Sequence, residues 1–378
     1  MITSSKPITT KDLLTGIAIG DALGSTTEFL DKIRVLDLYR NIKDNGYPFA
    51  QYGSPTRKLL PGNWTDDTDM AICIAKGNRD PAQIADNFVD WMLSNPPDIG
   101  GTCRRSLQIL EREETPFWIG GKTFYNMYPN MVSNGSLMRN GVIAGMSDNL
   151  YTLYTLTLEH GMITHYHPLS QLCCMAQTYI ECMLMHNKFS WDTWVEDFLE
   201  SASKYFYDYV VESSIINWLS EVDERKAIAD FRSANWDMKT FDPFQEDLRF
   251  KTGYTLISLQ IAVWGLYHAT HNTDFNAMGY PSRIFKASGS DRLGWIAMIG
   301  HDSDTYCAIC APMIIAAGLK FSEELSRNVL IGLERIVIGG ANMTCRTVQI
   351  ISALITIGLV CIIIVIMKLF GGGVVCPK

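Results

Sequence analysis

Wherever apolar residues form a regular pattern in this chain, they recur at three- and four-residue steps. Residues 11–30 place Leu13, Leu14, Ile17, Ala18 and Leu23 on one stripe, the period of an amphipathic helix. Residues 168–187, 192–207, 255–270 and 305–320 read the same way. No stretch sustains the alternation of a half-buried strand, and no Asn-Gly or Asp-Gly turn joins two β-rich runs. The expected class is therefore all-α. Gly and Pro gather in 46–62, 94–101, 116–121 and 278–294, which read as loops. The acidic, aromatic stretch 201–250 reads as a helical insertion within one domain spanning 1–346.

Composition excludes several classes. Hydrophobic residues make up 47% and charged residues 19% of the 378, so the chain can bury a large core and is not intrinsically disordered. The formal charge is −8 and no Lys/Arg block occurs, so a nucleic-acid partner is not expected. The ten cysteines lie mostly in apolar stretches and form no disulfide framework. Cys307-x-x-Cys310 has apolar neighbours and no second CxxC, which points to a buried helical pair rather than a zinc or redox site. Residues 1–14 show no apolar run of a signal peptide. Two sequons, Asn63-Trp64-Thr65 and Asn134-Gly135-Ser136, fall inside the candidate site, where a glycan would block it. Both observations favour a cytosolic body.

The chemistry-bearing residues are acids at helix starts. Asn63-Trp64-Thr65-Asp66-Asp67-Thr68-Asp69 precedes an apolar helix, and Gly300-His301-Asp302-Ser303-Asp304-Thr305 enters another. Helix capping accounts for one acid in each cluster. Three carboxylates within four residues repel one another unless a cation holds them, and hard oxygen ligands suit Mg²⁺ or Mn²⁺. Two such clusters in one helical chain imply two loops meeting over one metal site.

In order along the chain stand Gly20-Asp21-Ala22-Leu23-Gly24 with Glu28, Gly62-x-Trp64-Thr65-Asp66-Asp67-Thr68, and Asp98-Ile99-Gly100-x-Thr102. Asn134-Gly135-Ser136-Leu137-Met138-Arg139, Thr164-His165 and Asp302-x-Asp304-Thr305 follow. This series resembles the ADP-ribosylglycohydrolase family, over about residues 13–319. The resemblance implies a compact orthogonal helical bundle with two Mg²⁺ ions, Mn²⁺ being a possible substitute. It implies Thr65, Asp66, Asp67, Asp302, Asp304 and Thr305 as metal ligands. Glu28, approaching from the first helix seven residues after Asp21 and on the same helical face, is the expected catalytic acid or base, and Asp98 the alternative. Asp21, Gly100, Thr102, Asn134, Gly135, Ser136, Met138 and His165 are the expected substrate contacts, with 134–136 along the diphosphate. An ordinary helix-start role for His165 stays open. The chain departs from the family pattern at His301, Asp69 and Tyr306. His301 is expected to narrow the cleft and Asp69 to cap its helix.

The activity so implied is removal of ADP-ribose from a modified protein side chain, by water attack at ribose C1″ through an oxocarbenium-like transition state. A catalytically silent binding or structural member and a Mg²⁺-dependent phosphohydrolase are the alternatives. The acceptor, whether arginine, serine or an acetyl ester, is not written in these motifs.

The C-terminal region carries a separate expectation. Residues 350–367 hold no charge and only Ser352 and Thr356 are polar. Eighteen helical residues span about 27 Å, enough for a hydrocarbon core. Residues 347–370 are thus expected to form a transmembrane tail anchor, with 371–378 beyond it and the catalytic body in the cytosol.

Overall fold

The computed structural model describes residues 7–42, 54, 59–60, 62–113, 115–209, 222–271, 293–321 and 329. Its helices are α1 (Thr10–Gly24), α2 (Lys32–Ile42), α3 (Asp66–Gly77), α4 (Pro81–Leu93), α5 (Gly101–Glu113), α6 (Ile119–Met127) and α7 (Leu150–Met162). They continue with α8 (Pro168–Met185), α9 (Trp194–Tyr209), α10 (Val222–Ser233), α11 (Thr255–Thr270), α12 (Leu293–Ala297) and α13 (Ser303–Ala316). Among the described residues there is no strand, only an isolated bridge between Ser133 and Tyr254. The chain is all-α there, as its periodicity implies.

Local chemistry starts several helices. Thr9 caps α1 in a reciprocal box with Asp12. Asp80 caps α4 ahead of Pro81, and Asn149 caps α7. By contrast, α11 and α13 are apolar almost all round and buried along nearly their whole length, so packing rather than amphipathicity holds them. Cys307 and Cys310 lie buried in α13, as a structural pair should.

The contact that positions the site is α1 against α13, the most extensive in the fold. Gly16, Gly20 and Gly24 recur every fourth residue along the α1 face that meets α13. A methyl group at Gly20 would collide with the Cys307 carbonyl, and one at Gly24 with that of Ser303. Glycine is required because backbone meets backbone. This close approach sets Asp21, on α1, beside Asp304, in the first turn of α13.

Some boundaries differ from the sequence expectation. Helix α1 ends at Gly24, and Ser25 to Phe29 form a turn, so Glu28 is not on the helix and does not share a helical face with Asp21. The Thr27 hydroxyl donates to the Ala297 carbonyl (2.5 Å) and Ser303 Oγ donates to that of Gly24 (2.8 Å), which diverts the chain across the α12–α13 junction. Part of the expected 116–121 loop is helical, since α6 begins at Ile119. Within 201–250, the end of α9, all of α10 and a run of turns are described; residues 210–221 lie outside the described residues. An aromatic cluster of Trp194, Phe231 and Trp236 packs this stretch together, with ring centroids 4.8–6.3 Å apart.

The expected membrane location is corrected. Among the described residues, no helix is long and apolar enough to cross a membrane. The span 347–370 lies outside the described residues, and no membrane assignment is carried forward.

Candidate active site

The site starts at the entry to α3. Its N-cap, Thr65, makes no capping hydrogen bond with its side chain. The Thr65 N–H donates to Asp21 (2.9 Å), its hydroxyl lies 2.9 Å from Asp21 Oδ1 and 3.1 Å from Asp67 Oδ2, and Thr68 donates to Asp21 from both N–H (3.1 Å) and hydroxyl (2.6 Å). Asp21 thus ties α1 to the first turn of α3. The capping expectation for the acids is overturned. Asp66 accepts the Gly100 N–H (3.0 Å), and Asp69 accepts one indole N–H on each oxygen, from Trp64 (2.9 Å) and Trp91 (3.0 Å).

The carboxylates crowd where water is excluded. Burial raises the carboxyl of Asp21 to about 6, against the pull of its threonine donors. Asp69 is pushed up to about 7, again by burial and against its two indoles. Asp67 and Asp304 are held well above the usual carboxylate range, first by burial and then by the charges of their acidic neighbours. Among the described residues, no Lys or Arg lines the cleft over them.

Two triads of oxygen ligands emerge from this crowding. Asp21, Asp67 and Asp304 bring carboxylate oxygens within 4.8 Å of one another, and so do Glu28, Asp302 and Asp304. They share Asp304, the arrangement that two neighbouring cations require. Asp67 Oδ1 and Asp304 Oδ1 are buried with no hydrogen-bond partner. Buried acceptors without donors, in an all-oxygen set with raised affinity for protons, fit hard divalent cations.

Glu28 and Asp302 are held by distant parts of the chain. Phe29 N–H donates to the His301 carbonyl (2.7 Å) and His301 N–H to the Leu30 carbonyl (2.9 Å), clasping the two loops. Phe29 and His301 both adopt left-handed backbone, at φ 62° and 58°. Each such residue costs about 1–3 kcal/mol, so the clasp is strained where it presents Glu28. Asn134 Nδ2 donates to Asp302 Oδ2 (2.6 Å) and to Ser258 Oγ (2.9 Å).

Above the acids lies a cleft of about 210 Å³. Glu28, Asp66, Asp67, Asp98, Gly100, Thr102, Asn134, Gly135, Met138, His165, Asp302, Asp304 and Thr305 all line it. Three expected site residues do not. Asp21 and Thr65 lie behind it, bonded to each other, and Ser136 is buried against Cys174. Sequence reasoning passed over Phe29, Gly101, Cys103 and Ser133, which also line the cleft. Ser133 had a signal, standing next to Asn134; Phe29 had one too, following Glu28. His165 is not a helix cap, since His167 takes that role on α8 (3.1 Å to Leu169 N). His301 does not line the cleft; its contribution is the backbone clasp.

With this geometry established, similarity to known proteins decides the family. A family model described as ADP-ribosylglycohydrolase matches residues 10–323. The chain belongs to the ADP-ribosylglycohydrolase family. The ADP-ribosyl-[dinitrogen reductase] glycohydrolase of Rhodospirillum rubrum is 34% identical over 167 residues, covering 42% of this chain and 52% of that protein. The ADP-ribosylarginine hydrolase Tri1 of Serratia proteamaculans (strain 568) is 26% identical over 279 residues, covering 70% of this chain and 62% of the relative. The chain thus spans roughly half to three-fifths of these relatives' lengths. A solved ADP-ribosylglycohydrolase-related protein complex superposes with TM-score 0.50 at 19% identity, over 84% of this chain and 94% of that one. This likeness carries the family fold.

Proposed function

We propose that this chain is a Mg²⁺-dependent hydrolase that removes ADP-ribose from a modified protein side chain, with arginine, the acceptor in the Tri1 relative's name, as the expected linkage. The carrying observation is the pair of acid triads that share Asp304 at the floor of one cleft. Asp21, Asp67 and Asp304 would hold one ion, and Glu28, Asp302 and Asp304 the other, with Asp66 and Thr305 beside them. Bound there, the ions would supply a Lewis acid for the ribose hydroxyls and lower the pKa of an attacking water.

The chain's own residues do the rest. Glu28, clasped over the cleft by its strained turn, takes the proton of the water that attacks ribose C1″ or returns it to the leaving nitrogen. Asp98 stands on the same cleft as the alternative group. The first turn of α5, opening at Gly101, offers backbone N–H groups and a positive dipole end to the diphosphate, while the Gly100 N–H is held by Asp66. Asn134 and Gly135 extend that lining. Phe29, 56% exposed on the cleft, offers a ring face to a base or ribose.

Neither alternative gains an observation of its own. A silent binding protein would not need a full acid set. A phosphohydrolase calls for a cationic clamp, and among the described residues no Lys or Arg lines the cleft. The test is release of free ADP-ribose from arginine-, serine- and acetyl-ester-linked substrates, each with Mg²⁺ and with EDTA. Release from the arginine linkage that EDTA stops supports the reading, and no release from any linkage refutes it.

A further inference from the structure

Arg139 is completely buried and, among the described residues, has no carboxylate partner. Its guanidinium lies 4.3 Å over the Phe88 ring and donates to Met70 Sδ (3.2 Å), the His160 carbonyl (3.3 Å) and Thr164 Oγ1 (2.8 Å). A buried cation without a counter-charge is costly and calls for a use. We propose that Arg139 is a positioning residue that sets the direction of a hydrogen-bond chain running through Thr164, His165 and Ser133 to the Thr102 hydroxyl in the cleft. This inference rests on the functional reading above for what the cleft binds.

The direction follows from counting protons. A guanidinium only donates, so Thr164 Oγ1 accepts from Arg139 and its single proton is available for His165 Nδ1, 2.8 Å away. At the far end, Ser133 Oγ donates its proton to Thr102 Oγ1 (3.0 Å), so Ser133 must accept from His165 Nε2, 2.9 Å away. The Ser133 end demands the neutral tautomer with the proton on Nε2 and Nδ1 bare, and a Thr164 proton aimed at Nδ1 agrees with it. Burial, and then the Arg139 charge, hold His165 well below its ordinary pKa, so it stays neutral. The ring has little room to turn. The Gln171 amide donates to the His165 carbonyl, Ser106 Oγ to that of Thr164 (2.9 Å), and a methyl at Gly135 would lie 2.8 Å from His165 Cε1.

The consequence appears at Thr102, in the first turn of α5. Its oxygen is already accepting, so its proton points outward as a donor. Together with the α5 N-terminus it selects an acceptor oxygen, such as a phosphate oxygen, over a donor group. Without Arg139 the chain could run the other way and present Thr102 as an acceptor, which a phosphate would reject.

Two measurements test this. In ¹⁵N spectra of the metal-free full chain labelled at histidine, His165 should show a protonated Nε2 and a bare Nδ1, and Thr164→Val should weaken or reverse that pattern. In steady-state assays, Thr164→Val and Thr102→Val should each raise KM about tenfold, the value of one neutral hydrogen bond, with kcat changed less than threefold. Thr164→Ser should restore both, and the double variant should be no worse than either single one, since both break one chain. A wild-type His165 protonated on Nδ1, an unchanged KM in Thr164→Val, or additive effects in the double variant would overturn the proposal. If the wild type hydrolyses no ADP-ribosyl conjugate, the functional reading fails, while the tautomer still decides the chain's direction.

Discussion

Kept free of divalent metal, this protein should become less stable as pH rises from 6.5 to 8, contrary to the usual plateau near neutrality. Asp67 and Asp304 have raised pKa values through burial and like charge, Asp69 and Glu159 reach about 7 mainly through burial, and Glu181 is raised by burial on α8. An acid with a raised pKa keeps its proton in the folded chain after the unfolded chain has lost it. Its stabilising contribution is therefore present at low pH and lost as pH climbs through the folded value. Between pH 6.5 and 8, a group with folded pKa near 7 loses ~0.8 kcal/mol. Asp69 and Glu159 together give roughly 1.6 kcal/mol, and the raised pKa values of Glu181 and of the Asp67–Asp304 pair act in the same direction. The interval begins at 6.5 for a reason. His160 and His165 have pKa values lowered by burial, so they cost stability below the unfolded histidine value, and that cost fades as pH rises past it. The assay is urea unfolding followed by far-UV CD in EDTA, repeated with Mg²⁺. Mg²⁺ at a hundred times its Kd should return ~2.7 kcal/mol at pH 8, and less at pH 6.5, where protons compete for the same oxygens. Stability in EDTA that is flat or rising over this interval, or Mg²⁺ stabilisation equal at both ends, would refute the reasoning.

Three substitutions probe the remaining links. Asp304→Asn removes the carboxylate common to both triads and should cut turnover on the order of 10²–10³-fold with the helical CD signal kept; near-normal turnover in excess Mg²⁺ would sink the two-ion site. Glu28→Gln should lower kcat by about 10²-fold or more while ADP-ribose binding, read by calorimetry, stays within a few-fold. Lost binding with unchanged kcat would transfer the proton role to Asp98. Gly20→Ala should force α1 and α13 apart, costing about 1–3 kcal/mol and shrinking the Mg²⁺-dependent rise in Tm; a wild-type melting profile would contradict the seam.

Much of this protein can be read from its residues one at a time. The helical period at 168–187 and 255–270 needs no tertiary knowledge, because an amphipathic or wholly apolar run reports its own repeat, and α8 and α11 stand there. The ordered motifs, from Gly20 to Thr305, were enough to mark the acids that line the cleft. What those acids do was another matter. Asp69 looks like a helix cap in sequence and instead takes two indoles, one from Trp91, which is 22 positions away. Asp21 is expected as a substrate contact and becomes a buried strut, because the glycine seam draws α1 onto α13 and leaves Thr65 and Thr68 as its donors. The spacing of Asp21 and Glu28 suggested one helical face, yet the helix stops at Gly24 under the pull of bonds to Ala297 and Ser303, some 270 residues along the chain. Sequence spacing encodes geometry only while the backbone stays regular. Which oxygen meets which donor, how much water remains around a carboxylate, and which way a hydroxyl points all depend on contacts between distant segments, and those exist only once the helices are packed.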